Sequence, residues 1–270
     1  VPDRLALPDP LALTGRTALV TGAGSPTGIG FATARLLGQL GATVWLTATT
    51  DRAHERAAEL RAAGLAAHGL VADLTDPDRA AAAVANAAAP DGLHIVVNNA
   101  GMVGLATPDA EAERGAITSM SLHGWRTALA RNLDTAFLVT RAAVPHLQSA
   151  EWGRIVMVAS VTGPVMAMRE EPAYAAAKAG MVGLMRALAV DLAPDGITAN
   201  AVAPGWIATG SQLPHEVAEG AHTPVGRSGT PAEVAAAIAF LCSPGASYVS
   251  GQLLVVDGAA SVAEERDLPR

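Results

Sequence analysis

The chain has 270 residues and a mass of 27.2 kDa; 50% of it is hydrophobic and 16% charged, enough apolar material for a large single core. A net charge of −7 and a pI near 5.4 argue against nucleic-acid or anionic-membrane partners, which need a basic face, and leave a small substrate open. Val1 to Arg16 lacks a charged-then-apolar leader, no run approaches the roughly eighteen apolar residues of a membrane span, and the lone Cys242 allows no intrachain disulfide, so we expect a cytoplasmic protein.

From Thr17 to Val256, short apolar runs alternate with alanine-rich helical segments, the signature of an open parallel sheet with helices on both faces. The first strand, near Thr17 to Thr21, runs into Gly22-Ala23-Gly24-Ser25-Pro26-Thr27-Gly28-Ile29-Gly30, which opens a helix near Ile29 to Leu40. Glycines there permit a tight turn and close backbone approach, and a helix N-terminus offers free N–H groups to a phosphate. The loop is a candidate dinucleotide site or simply a structural turn.

The second strand, Thr43 to Thr47, ends in Ala48-Thr49-Thr50-Asp51-Arg52 before a helix over Arg52 to Ala63. A third strand at His68 to Ala72 leads to Asp73 and Leu74, and Asp76-Pro77 starts a helix reaching Ala88. The fourth, His94 to Asn98, is followed by Asn99-Ala100-Gly101 and a long connection, Met102 to Gly124; a helix over Trp125 to Ser149 carries Asn132. A fifth strand, Arg154 to Ala159, ends at Ser160, and a helix spans Tyr174 to Leu192. The sixth, Ile197 to Ala203, precedes Pro204-Gly205 and a second long connection, Gly205 to Thr230, of the kind that is often functional. A helix over Pro231 to Leu241 and a strand over Leu253 to Val256 complete one domain of seven strands, with residues 1–14 an N-terminal extension and 261–270 a polar tail.

Of eighteen basic residues, only Lys178 is lysine, and it stands four residues after Tyr174, one of two tyrosines. Lysine supplies what arginine cannot, a compact ammonium of adjustable pKa. Residues i and i+4 share a helix face, so the ammonium is expected to lower the phenol's pKa and suit it to proton transfer with a carbonyl or alcohol. Spacing alone also allows an ordinary helix with one exposed Tyr and one exposed Lys. No histidine or cysteine cluster suggests a metal.

The glycine loop, Asn98-Asn99-Ala100-Gly101, Ser160, Tyr174 with Lys178, and Pro204-Gly205 follow one another in an order that resembles the short-chain dehydrogenase/reductase family, in its compact single-domain branch, over Gly15 to Gly258. The resemblance implies a doubly wound Rossmann domain with Ser160, Tyr174, Lys178 and Asn132 as the catalytic set, Asn132 holding a water for proton relay. It also implies cofactor contacts from Gly22, Gly24, Ser25, Thr27, Gly28, Ile29, Thr49, Asp73, Leu74, Asn99, Ala100, Gly101, Tyr174, Lys178, Pro204, Gly205, Ile207 and Thr209. Asp73 matches an acid that meets adenine, and Ile207 and Thr209 match residues that meet the nicotinamide carboxamide. Two departures stand out: five residues separate Gly22 from Gly28, two more than the family pattern, and Ser160 to Tyr174 is one residue longer.

The acid that selects NAD by binding the ribose 2′-hydroxyl would fall at Ala48 and is missing, while Thr49, Thr50 and Arg52 offer donors to a 2′-phosphate; NADP(H) is preferred over NAD(H). Arg52 read alone is a solvated helix start. The implied reaction interconverts a ketone and a secondary alcohol, as in 3-oxoacyl carrier-protein reductases or broad ketone reductases. An acyl carrier protein, being acidic, would need basic residues such as Arg131 and Arg169 at the pocket mouth. The alternatives are an NAD-dependent secondary alcohol dehydrogenase and a non-catalytic nucleotide-binding regulator. Met166 and Met168 are expected to line the pocket with the lid, and relatives of this kind are commonly homotetramers.

Overall fold

A computed structural model describes residues 10–101 and 113–264. Residues 1–9 of the expected extension, 102–112 of the first long connection and 265–270 of the polar tail lie outside the described residues.

Seven strands form one parallel sheet: β1 (Thr17–Val20), β2 (Thr43–Ala48), β3 (Ala67–Val71), β4 (Ile95–Asn98), β5 (Gly153–Val158), β6 (Ile197–Pro204) and β7 (Leu253–Val256), in the order β3-β2-β1-β4-β5-β6-β7. The helices are α1 (Ile29–Gln39), α2 (Arg52–Ala62), α3 (Pro77–Ala88), α4 (Leu122–Leu129), α5 (Thr135–Ser149), α6 (Pro172–Asp191), α7 (Pro214–Ala221) and α8 (Pro231–Leu241). Strand side chains alternate between two cores because successive Cβ atoms point to opposite faces. Val20, Val97, Val156 and Val202 pack with Phe31, Leu37, Val234 and Ile238 of α1 and α8. Leu19, Val96, Ile155 and Met157 pack with Val84, Val139, Met181 and Met185 of α3, α5 and α6. Strand order reverses between β1 and β4, which opens a crevice at the strands' carboxyl ends, the place where such sheets bind ligands.

The expected strands and crossover helices all form, with ends shifted by a few residues. The single helix expected over Trp125 to Ser149 instead begins at Leu122, with the Ser121 hydroxyl accepting the Gly124 N–H at 3.0 Å, and is broken by a π-helical turn over Ala130–Asp134. Side chains compete with the ladder there: Asn132 Nδ2 donates to the Ala128 carbonyl at 3.1 Å and Thr135 Oγ1 to that of Arg131 at 2.9 Å. The second long connection contains an unforeseen helix, α7, started by Pro214 and by Glu216, whose Oε2 accepts the Leu213 N–H at 2.8 Å. Alone among the described helices, α6 has the length and hydropathy of a membrane-crossing segment. Its Ala177, Met181, Val182 and Met185 are buried, and the last three join the core beneath the sheet, as expected of a helix that covers one.

Candidate active site

At the crevice, Thr21 and Asn99 tie β1 to β4. Thr21 Oγ1 accepts the N–H groups of Asn99 and Ala100 at 2.9 and 3.0 Å, and Asn99 Nδ2 donates to the carbonyls of Thr21 and Gly22 at 2.9 and 3.0 Å. The glycine loop is drawn so close to this knot that side chains are excluded. A Cβ on Gly22, whose φ is +65°, would lie 2.7 Å from Ala100 Cα, and one on Gly30 would lie 2.5 Å from Asn99 Nδ2. Helix α1 begins after Gly28 without any side-chain cap, so its first-turn N–H groups are not spent on a protein side chain and suit a pyrophosphate. The two extra residues of the loop do not displace this start. They form a turn in which the Gly28 N–H donates to the Ser25 carbonyl at 3.2 Å, and Thr27 reaches across to the second long connection, its Oγ1 accepting the Gly210 N–H at 3.0 Å.

Ser160, just past the end of β5, and Tyr174, in the first turn of α6, line the same cavity, with the serine hydroxyl near enough to the phenol to favour its ionised form. The longer spacing between them is taken up by a turn in which the Met166 N–H donates to the Val161 carbonyl at 2.8 Å and the Gly163 N–H to that of Met166 at 2.7 Å. Lys178 is buried beneath, its Nζ 5.6 Å from the Tyr174 ring centre and donating to the Val158 carbonyl at 3.1 Å. The expected acidification of Tyr174 by Lys178 is corrected. Burial pushes the phenol up to about 12, against the Ser160 hydroxyl, which lowers it; Glu171 and Glu216 push the same way as burial. Burial also pushes Lys178 down to about 8. Asn132 is 1% exposed, and its Oδ1 has no hydrogen-bond partner among the described residues.

These four residues line one cavity of about 240 Å³ together with Ile29, Asn99, Gly101, Pro204, Gly205, Ile207 and Thr209. The 205–230 connection also lines it through Trp206, Gln212 and Glu216, and its ends pair: the Ala208 N–H donates to the Gly229 carbonyl at 2.8 Å and the Gly229 N–H to that of Trp206 at 2.9 Å. Met168 lines the cavity as expected, whereas Met166 does not; His215 and His222 are exposed. Sequence reasoning missed Thr21, Gly30 and the charged residues Glu113, Arg114, Glu171 and Glu216 that line or brace the site. Gly30, visible as the last glycine of the loop, was the one with a signal. Arg114 Nε pairs with Glu171 Oε1 at 2.9 Å, and Arg131 Nη1 with Glu113 Oε1 at 2.9 Å.

Other expected cofactor residues stand along the crevice outside this cavity. Asp73 Oδ1 accepts from the Thr75 N–H and hydroxyl at 3.0 and 2.7 Å, bonds that lower the carboxyl's pKa, so one oxygen is engaged in a turn. The Leu74 side chain is in the core. Thr49 is exposed at the tip of β2. Among the described residues no group of three or more His, Cys, Asp or Glu is placed to hold a metal.

A switch-point crevice in a parallel doubly wound sheet, with an uncapped helix start and a serine-tyrosine pair beside it, defines the class of dinucleotide-dependent oxidoreductases. A family model described as enoyl-(acyl carrier protein) reductase matches residues 22–260. The chain is 41% identical over 252 residues to cis-4-hydroxycyclohexanecarboxylate dehydrogenase of Sinomonas cyclohexanicum, covering 92% of this chain and 97% of that protein. It is 39% identical over 254 residues to the 3-oxoacyl-(acyl-carrier-protein) reductase FabG of Pseudomonas aeruginosa, covering 92% and 98%. A crystal structure of a candidate NAD(P)-dependent gluconate 5-dehydrogenase from Beutenbergia cavernae, with NADP bound at low occupancy, superposes with a TM-score of 0.85 at 38% identity, covering 94% of this chain and 100% of that one. The chain belongs to the short-chain dehydrogenase/reductase family and is an NAD(P)-dependent oxidoreductase acting on CH–OH and C=O groups.

Proposed function

We propose that the protein is an NADP(H)-preferring reductase of ketones, working reversibly on secondary alcohols, with Ser160, Tyr174, Lys178 and Asn132 as its catalytic set. The observation that carries this reading is that Ser160, Tyr174, Lys178 and Asn132 line one cavity together with Ile29, the first residue of α1 beyond the glycine loop. The crevice fits a dinucleotide. Gly22, Gly24, Ser25, Thr27, Gly28 and Ile29 would hold its pyrophosphate, Thr49, Asp73 and Leu74 its adenosine half, and Asn99, Ala100, Gly101, Pro204, Gly205, Ile207 and Thr209 its nicotinamide half. When bound, the nicotinamide supplies hydride to a carbonyl carbon or accepts it from an alcohol carbon.

The chain's own residues handle the proton. In reduction, Tyr174 donates its phenolic proton to the carbonyl oxygen and Ser160 donates a hydrogen bond to the same oxygen, where negative charge develops. Alcohol oxidation runs the proton back to the tyrosinate. Lys178 supplies a buried positive charge on the Tyr174 side of the cavity and would hold the nicotinamide ribose. The unpaired Oδ1 of Asn132 would accept from a water that refills the proton through the π-turn. The set is intact, which counts against a non-catalytic regulator.

NADP(H) preference rests on the tip of β2. Ala48 occupies the position of the NAD-selecting acid, and Arg52 lies over the glycine loop, its Nε donating to Thr50 Oγ1 at 3.1 Å and standing 3.7 Å from where a Gly24 Cβ would be. A guanidinium there suits a 2′-phosphate. The solved relative that carries NADP supports the same choice. An NAD-dependent alcohol dehydrogenase is the alternative reading.

Between the two substrate readings, a 3-oxoacyl group on a carrier protein and a free small ketone, the second is favoured. Arg131, expected to greet an acidic carrier, is paired with Glu113 instead. The relative acting on a hydroxycyclohexane supports a small cyclic or acyclic carbonyl compound. We further propose one domain with residues 205–230 as its substrate lid, a homotetramer and a cytoplasmic location. The test is oxidation of NADPH and NADH, followed at 340 nm, against acetoacetyl thioesters and a panel of simple and bulky ketones. Faster turnover with NADPH on free ketones is the expected result; tight cofactor binding without turnover on any carbonyl would leave the regulator reading in its place.

A further inference from the structure

Arg131 and Asn132 are consecutive in the π-helical turn, yet of the two only Asn132 lines the cavity. The Arg131 guanidinium pairs instead, through Nη1 at 2.9 Å, with Oε1 of Glu113 in the connection between β4 and α4. Glu113 is 5% exposed, and a carboxylate so deeply placed is held to its cation, because a buried charge is strongly disfavoured once the opposite charge is removed. The planar guanidinium makes that contact directional. The other side-chain bonds of the turn stay within the helical run: Asn132 Nδ2 donates to the Ala128 carbonyl at 3.1 Å and Thr135 Oγ1 to that of Arg131 at 2.9 Å. Neither ties the turn to a second element. The Glu113 pair does.

Successive side chains of a helix diverge by about 100°, so a guanidinium held on one side of the turn sets the direction of the side chain that follows it. For Asn132 that direction is tightly bounded. A Cβ on Gly101 would stand 2.7 Å from Asn132 Oδ1, and this oxygen is buried without a hydrogen-bond partner among the described residues. A small rotation of the turn would press it against Gly101 or carry it off the cavity wall. We propose that Glu113 and Arg131 are positioning residues for the reaction: their ion pair aims the Asn132 carbonyl oxygen at the cavity and acts on the chemistry only through it.

This inference rests on the catalytic role proposed above for Asn132. Its test is a mutant cycle read as kcat and KM with NADPH and the ketone that the unaltered protein reduces fastest. Arg131→Met keeps the stem and removes the fork; it should lower kcat by about tenfold or more, as expected when a catalytic group is displaced, and leave both KM values within about twofold. Glu113→Gln should shift kcat the same way, and Arg131→Lys, which keeps a cation for Glu113, should recover part of the loss. In an Asn132→Ala background, Arg131→Met should have no further effect, since a residue that works through another is silent once the other is gone. A general loosening of the fold would subtract in both backgrounds. Cofactor binding, by fluorescence titration, identifies the variants that fold; if Arg131→Met does not, Arg131→Lys and Glu113→Gln carry the same cycle. Unchanged kcat, a raised KM at constant kcat, or an equal loss in both backgrounds overturns the inference. A loss confined to Asn132→Ala overturns it while keeping the relay; full activity in Asn132→Ala removes the relay and the inference together, and no turnover of any ketone by the unaltered protein removes the proposed function with them.

Discussion

Thr27 Oγ1 accepts the Gly210 N–H at 3.0 Å, joining the glycine loop to the first residues of the 205–230 connection across most of the chain's length. Thr27 immediately precedes Gly28 in a loop two residues longer than the family pattern, so the lengthened loop is tied to the 205–230 connection without displacing the start of α1.

Thr27→Val keeps the β-branched shape and removes the acceptor. One neutral hydrogen bond contributes about 1 kcal/mol, so the open lid should gain roughly fivefold in population. Limited proteolysis between residues 211 and 228 should quicken severalfold while the melting temperature falls by no more than about 2 °C. Unchanged cleavage would show that the lid is held elsewhere.

Tyr174→Phe should retain cofactor binding, measured by fluorescence titration, and lose turnover by orders of magnitude, because the proton has no other donor on that wall. Ser160→Ala should lower turnover by about a hundredfold, the usual effect of losing one donor to a developing oxyanion. It should also move the rising limb of the pH profile of alcohol oxidation to higher pH, since the Ser160 hydroxyl lowers the Tyr174 pKa and oxidation needs the tyrosinate. A limb that moves to lower pH would contradict that assignment.

Lys178 is predicted to be costly to the fold. Its pKa is pushed from 10.5 to about 8, so between these values the unfolded chain binds a proton that the folded chain does not. Stability of the cofactor-free protein should therefore rise with pH across that window. Below about pH 8 the fold bears the whole cost of burying the ammonium, up to about 3 kcal/mol at 1.36 kcal/mol per pKa unit. Lys178→Met should raise the melting temperature at pH 7 by several degrees, abolish the rise with pH and abolish turnover. Thermal unfolding at pH 7, 8 and 9.5 is the check; a destabilised methionine variant would show that the Val158 contact outweighs the desolvation.

Arg52→Ala should raise the KM for NADPH by about tenfold, as expected for one charge-assisted bond at an exposed site, and leave that for NADH within twofold. Equal effects on both cofactors would mean that Arg52 serves only the loop.

Much of this architecture is legible in the chain because strands such as Ile95–Asn98 are short β-branched runs between glycines and polar turns, and helices such as Pro77–Ala88 carry their own start signals. What was not legible is of two kinds: local side-chain-to-backbone bonds outside any periodic pattern, and burial or pairing set by distant parts of the chain. Helix α7 is eight residues long with Val217 its one large apolar side chain, and Glu216 turns back to Leu213 at its start. The π-turn arises where Asn132 and Thr135 bond to backbone carbonyls, which no periodicity announces. The sign of the shift at Tyr174 was misjudged because the four-residue spacing shows proximity to Lys178 but not burial, and burial dominates. Arg131 likewise reads as a free cation until Glu113 is found beside it.

The π-turn over Ala130–Asp134 amounts to one more residue than a regular helix would hold between α4 and α5. Removing any single residue there would let the helix heal into an unbroken α-helix, with a better ladder but with side chains on one side of the cut rotated by about 100° relative to those on the other. Asn132 would then swing off the cavity wall although no contact of its own had been mutated. The position of this asparagine is thus stored as a residue count, and a length change in this segment would be more damaging to the chemistry than most substitutions within it.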